Sequence, residues 1–98
     1  MIDLSKAEGF DWDEGNAREN EKHGVDAIEA EQVFFDQRLL MFEDERHSQS
    51  EKRYQALGKT REERLLHVTF TLRGGGARIR IISARPMNQK ERRIYEGP

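Results

Sequence analysis

The chain reads as an α+β fold: a short N-terminal strand and two helices, an antiparallel β-meander sheet and a C-terminal helix. Two observations predict it. Apolar residues recur at helical spacing early in the chain and near its end, while sustained apolar–polar alternation lies in the stretch between. The two patterns are segregated and not interleaved, which argues against a doubly wound parallel sheet. The 98 residues make a single domain over 1–98. A chain of this size buries only about 60–65% of its unfolded surface, so its core is small.

Residues 1–9 lack periodicity and are expected to form a loose leader. Phe10-Asp11-Trp12-Asp13 alternates apolar and acidic residues, as a short edge strand does, with Trp12 read as a packing residue. Asp13 then serves as N-cap of a helix over Glu14 to His23, and Gly24 stops it. A second helix is expected from Asp26 to Phe35, since Ala27, Ala30, Val33 and Phe34 fall on one face. The period then changes. Leu39 to Phe42 is a short apolar strand, Glu43 to Ser50 a charged loop, and Lys52 to Gly58 a second strand of the sheet. In the next strand Leu66, Val68, Phe70 and Leu72 alternate with His67, Thr69 and Thr71. Arg73 to Gly76 forms a glycine-rich hairpin connection. The strand from Ala77 to Ala84 sets Ile79 and Ile81 on one face and Arg78, Arg80 and Ile82 on the other. Pro86 closes the sheet, and a helix over Met87 to Tyr95 turns Ile94 inward.

Composition narrows the chemistry. The absence of cysteine excludes a disulfide scaffold, a thiol nucleophile and cysteine-ligated zinc. No signal segment and no apolar run of about 20 residues is present, so a cytoplasmic protein without membrane contact is expected. His23, His47 and His67 form no HxH or HxxxH pair, and neither metal nor cofactor is expected. Gly74-Gly75-Gly76 lacks the spacing of a phosphate loop, and Ser83 sits in no nucleophile elbow. The net charge of −2 conceals a division. Residues 1–51 hold 15 Asp/Glu and 5 Lys/Arg, whereas residues 52–98 hold 12 Lys/Arg and 4 Asp/Glu. A basic surface for a polyanion would follow, or else the two halves pair with each other across the fold.

The arginines sharpen that choice. Residues 78–93 carry six basic side chains (Arg78, Arg80, Arg85, Lys90, Arg92 and Arg93) against Glu91 alone. Two guanidiniums at i and i+2 on a strand are about 7 Å apart, suited to phosphates along a strand of nucleic acid. A solvated face pairing with Glu62, Glu63 or the acidic helices explains them as well. His47, Glu51 and Arg53 add a proton acceptor or donor and a phosphate contact. Attack of an RNA 2′-hydroxyl needs only its deprotonation, charge stabilisation and leaving-group protonation, which these residue types can supply without metal.

Several blocks taken together resemble the BrnT toxin family. They are Phe10-Asp11-Trp12-Asp13, then Asn16 and Asn20, then Lys22-His23-Gly24-Val25. Asp36 follows Val33-Phe34, His47 precedes Glu51-Lys52-Arg53, and Gly58 comes next. Ile79-Arg80-Ile81-Ile82-Ser83-Ala84-Arg85 and Glu91-Arg92-Arg93-Ile94-Tyr95-Glu96 complete the set, so the similarity spans roughly residues 10 to 96. The resemblance implies a RelE-like α+β fold and a ribonuclease toxin of a type II toxin–antitoxin system that inhibits translation. Its partner would be a BrnA-like ribbon-helix-helix antitoxin. Operator DNA would be touched only through that antitoxin, and the free toxin, with its partner surface exposed, would be prone to self-association.

Residue by residue, the resemblance puts Arg80 and Arg53 on the phosphate and Glu51, Lys22 or His23 in proton transfer. Arg78, Arg85, Arg92, Arg93 and Tyr95 would bind RNA. Plain structural roles stand beside these. Lys22-His23-Gly24 is also what a helix C-terminus favours, and Tyr95 is also a core-edge aromatic. Two rival functions remain: a non-catalytic antitoxin-binding member acting in operon autoregulation, and a nucleic-acid-binding module without cleavage.

Overall fold

The computed structural model describes residues 2–47 and 50–97. Strand β1, Gly9–Phe10, is followed by helices α1, Glu14–Glu21, and α2, Ala27–Gln32, the latter tightening into a 3-10 turn over Val33–Phe35. Strands β2, Leu40–Asp44, β3, Arg53–Lys59, β4, Leu65–Arg73, and β5, Arg78–Pro86, come next, and helix α3, Gln89–Glu96, ends the described chain. The sheet order is β1-β5-β4-β3-β2. Strands β2 to β5 form the expected antiparallel meander, and β1 adds a parallel edge through Gly9–Arg78 and Phe10–Ile79, making the sheet mixed. Residues before β1 are tied in: Leu4 and Ala7 lie against the core, and the Glu8 N–H donates to the Ala77 carbonyl at 2.7 Å.

All three helices start on the same device. Asp13, Asp26 and Asn88 each accept the N–H three residues on, while Asn16, Glu29 and Glu91 reach back to the cap N–H. Asn16 does more, because its Nδ2 also donates to the carbonyls of Asp11 at 2.9 Å and Ile81 at 2.8 Å. That stitches the start of α1 to β5. Helix α1 stops where Gly24 takes φ +71°. At Gly58 the missing side chain matters more than backbone freedom. A Cβ there would meet Val33 Cγ1 at 2.6 Å, so the glycine lets the 3-10 turn press against β3.

The larger core lies on the α1–α2 side and includes Val25, Val33, Leu66, Val68, Phe70, Ile79 and Ile81, with Phe34 edge-on to Phe70 at 4.9 Å. A smaller cluster of Leu57, Met87 and Tyr95 sits under α3 on the other side. Three sequence expectations change here. Strand β2 runs on through Glu43 and Asp44, because their pairing with Tyr54 and Arg53 continues the ladder into the predicted loop. Helix α3 buries Tyr95 and leaves Ile94 46% exposed, so its inward residue is Tyr95 and not Ile94. The β4–β5 register also shifts at Thr69/Phe70, whose partners are Ser83 and Ile81. Ile82 is therefore the extra residue of a bulge and does not continue the Arg78–Arg80 row.

Candidate functional site

The ladder pairs assemble the sheet face opposite the main core. One rung is Leu40–Leu57–His67–Arg85, and the next is Phe42–Gln55–Thr69–Ser83. Extending the Tyr54–Phe70 pairing by one residue sets Arg53 beside Thr71, which makes the third rung Asp44–Arg53–Thr71–Arg80. Arg73 pairs with Arg78 beyond it, and Glu51 reaches Arg73 at 3.3 Å. Strands lie about 4.8 Å apart, so the Arg53 and Arg80 backbones are about 10 Å apart with Thr71 between them. The bulge is what keeps this face basic along its length. Arg80 and Arg85 are five residues apart, an odd number that would set them on opposite faces of a regular strand.

At the arginine end, Arg80 contacts Asp13 at 3.0 Å and Asp11 at 3.8 Å. The Arg80 guanidinium and the Asn16 N–H together hold the Asp13 carboxyl below its ordinary range. The Thr71 hydroxyl donates to the Lys52 carbonyl at 2.7 Å and fixes the chain entering β3.

The other end is a hydrogen-bonded chain of side chains. Asp44 accepts from Gln55 Nε2 at 3.1 Å and meets His47 Nδ1 at 3.1 Å. Gln55 Oε1 faces His67 Nε2 at 3.2 Å, and His67 lies 3.9 Å from Glu91. Glu91 holds Arg85 through two bonds of 2.8 Å. Burial, then the Arg85 charge, push the His67 pKa down, so the imidazole is neutral at pH 7. With Gln55 Nε2 committed to Asp44, its oxygen accepts, and His67 carries its proton on Nε2. The hydrogen bond from Arg85 holds the Glu91 carboxyl below its ordinary range. Burial raises the Asp44 pKa, but the bonds from Gln55 and His47 outweigh it.

Among the residues expected at a site, Glu51, Arg53, Arg78 and Arg80 come together at one end of this face. Arg85 shares the face two rungs away, about 13 Å along the strands. Lys22 and His23 do not join them. They lie exposed in the turn after α1, with Lys22 paired to Glu19 at 3.1 Å, and the adjoining Gly24 carbonyl accepts from Arg64 near the start of β4. Arg92 and Arg93 are exposed on α3. Tyr95 is buried with its hydroxyl donating to Asp36, so it anchors α3 and offers no ring to a base. Arg73, Asp44, Gln55, His67 and Glu91 join the site beyond the expected residues. The His67, Thr69, Thr71, Arg73 alternation carried the signal for two of them, since all four point to one face. Among the described residues, no three His, Asp or Glu side chains are grouped to hold a metal ion, and no helix is long and apolar enough to cross a membrane.

No curated protein matches the chain. The family described as the ribonuclease toxin, BrnT, of a type II toxin–antitoxin system matches residues 12–91, which take in α1, α2, strands β2 to β5 and the first turn of α3. By that match the chain belongs to the BrnT family of ribonuclease toxins.

Proposed function

We propose that the protein cleaves RNA on the arginine end of its sheet face, without a metal ion, in the cytoplasm. Membership of a type II toxin–antitoxin family carries with it an RNA target and an antitoxin partner. The observation that supports this location is the pair of neighbouring rungs holding Arg53, Arg80, Arg73 and Arg78 with Glu51. Arg53 and Arg80 bind the scissile phosphate from two sides, and their planar donors stabilise the charge that grows on its oxygens. Glu51 takes the proton of the 2′-hydroxyl, O2′ bonds to phosphorus, and the bond to the 5′-oxygen breaks. The products are a cyclic phosphate and a 5′-hydroxyl whose proton comes from water at this open rim. A BrnA-like ribbon-helix-helix antitoxin neutralises the activity and carries the complex to operator DNA.

The test is cleavage of a labelled RNA, with product ends mapped, for wild type, Arg53→Ala, Arg80→Ala and Glu51→Gln. Cleavage that persists in EDTA, falls at least about 100-fold in the variants and stops on adding antitoxin supports the reading. A wild type that binds RNA and leaves it intact would replace it with the binding-module reading.

A further inference from the structure

The end of the face away from Glu51 opens into a cavity of about 390 Å³ whose lining includes Phe42, Gln55, His67, Lys90, Glu91 and Ile94. A space of this size suits a flat small group. Its apolar walls include two of the large hydrophobic side chains left exposed, Phe42 at 44% and Ile94 at 46%. Its floor is rigid, because Gln55 and His67 bond to each other and Gln55 also bonds to Asp44. Glu91 also lines it, but its two oxygens already accept from Arg85 and from the Asn88 N–H, so the groups left to a ligand at the mouth are the donors of Lys90 and Asn88. Lys90 is exposed and pairs with no carboxylate among the described residues. The Asn88 side-chain oxygen caps α3, which leaves its amide N–H groups to a ligand.

Position identifies the ligand. Gln55 lies two residues from Arg53 along β3, about 7 Å, on the same face. A strand whose phosphate rests between Arg53 and Arg80 therefore brings a neighbouring base to this cavity. We infer that the cavity is a nucleobase pocket, in which the base stacks on Phe42 and turns a carbonyl edge to Lys90 and Asn88. Uracil and guanine present that edge, whereas adenine presents an amino donor there. The inference rests on the RNA-face reading given above.

Hexanucleotides of deoxyuridine and of deoxyadenosine, which lack the attacking hydroxyl, provide the test by fluorescence anisotropy. Wild type is expected to bind the uridine probe about tenfold more tightly than the adenosine probe. Phe42→Ala should weaken both about tenfold by loss of stacking. Lys90→Gln should bring the two affinities within about twofold of each other. Phe35→Ala, which removes an exposed apolar side chain on the opposite layer, should leave both unchanged. Equal affinities in wild type, or a Phe42→Ala protein that binds like wild type, overturn the pocket. If Phe42→Ala loses only antitoxin binding, the cavity belongs to the protein partner and the inference is wrong. Failure of wild type to bind either probe removes the RNA-face reading itself.

Discussion

Removing one oxygen at Tyr95 tests how α3 is held over the sheet face. The Tyr95 hydroxyl donates to Asp36, whose carboxylate also accepts the N–H groups of Lys59 at 2.8 Å and Arg38 at 3.0 Å. One carboxylate therefore joins the turn after α2, the end of β3 and the terminal helix. Tyr95→Phe keeps the buried ring, so no cavity opens, and leaves Asp36 two of its three donors. A hydrogen bond to a charged acceptor contributes about 1.5–3 kcal/mol, and the low end applies because Asp36 stays bonded. For a domain of this size about 1.5 kcal/mol lowers Tm by about 6–12 °C. The pH dependence fixes the cause. Burial, then Asp36, push the Tyr95 phenol from 10.0 up to about 12. A raised folded pKa means stability fully present below the unfolded value and lost as pH rises through about 12. Burial raises the Asp36 pKa, but the bonds from Tyr95, Arg38 and Lys59 outweigh it and keep it low. Its contribution is thus present above the unfolded carboxylate pKa and lost on acidification. Urea unfolding at several pH values should show a gap between wild type and Tyr95→Phe that is widest near neutrality and narrows towards both extremes. A gap below about 0.5 kcal/mol, the range of ordinary surface changes, or one that does not vary with pH, refutes the reasoning.

Three further outcomes are expected. Gly58→Ala forces a methyl group to 2.6 Å from Val33 Cγ1 and 3.0 Å from the Val33 carbonyl, and should cost about 1–3 kcal/mol in denaturant unfolding, whereas unchanged stability would show that the 3-10 turn yields freely. Arg53→Ala and Arg80→Ala should each reduce the slope of log affinity for single-stranded RNA against log salt by about 0.7, while Arg18→Ala on the outer surface of α1 leaves it unchanged. Glu91 has a depressed pKa, first through Arg85, so its contribution is present above the unfolded carboxylate pKa and lost as pH falls through the folded value. Glu91→Gln should therefore be less stable than wild type at pH 7, with the two melting curves converging in acid.

The elements that identify themselves locally were readable from residues alone. Asp13 and Gly24 bracket α1 as a cap and a stop, and the alternation of β4 holds from Leu66 to Leu72. What escaped depends on partners distant in the chain. Glu43 and Asp44 look like loop residues until Tyr54 and Arg53 are set beside them. The phase of α3 depends on Asn88 and Glu91 closing a capping box, which starts the helix at Gln89 and turns Tyr95, not Ile94, to the sheet. The bulge at Ile82 carries no compositional mark, yet it decides which face receives Arg85. Lys22 and Glu51 are both plausible proton carriers by type, and only the layering of α1 against β5 separates them. Gln55 was invisible for another reason: its role comes from having Asp44 on one side and His67 on the other.

The charge division between the two halves left a choice between internal pairing and a surface for a polyanion. On the proposed reading, one arginine would serve both. Arg80, in the basic half, is paired with Asp11 and Asp13 from the acidic half, and its side chain is 17% exposed against 58% for Asp13. An ion pair with one partner so exposed adds little to stability. It still holds the guanidinium in one orientation at the sheet edge, which lowers the ordering cost when a ligand arrives. A phosphate at Arg80 then exchanges one anion for another: the arginine keeps a partner, and the displaced carboxylate of Asp13 returns to water while keeping its bond to the Asn16 N–H. The acidic residues beside the face do not count against the proposed RNA binding, because they would keep the arginine oriented for an incoming phosphate. Asp13→Asn would then leave the α1 cap in place, since asparagine caps as well as aspartate, but remove the nearer of the guanidinium's two carboxylates. Affinity for RNA should rise at low salt, with the loss of a nearby negative charge, and an affinity that falls would mean that orientation outweighs repulsion at this edge.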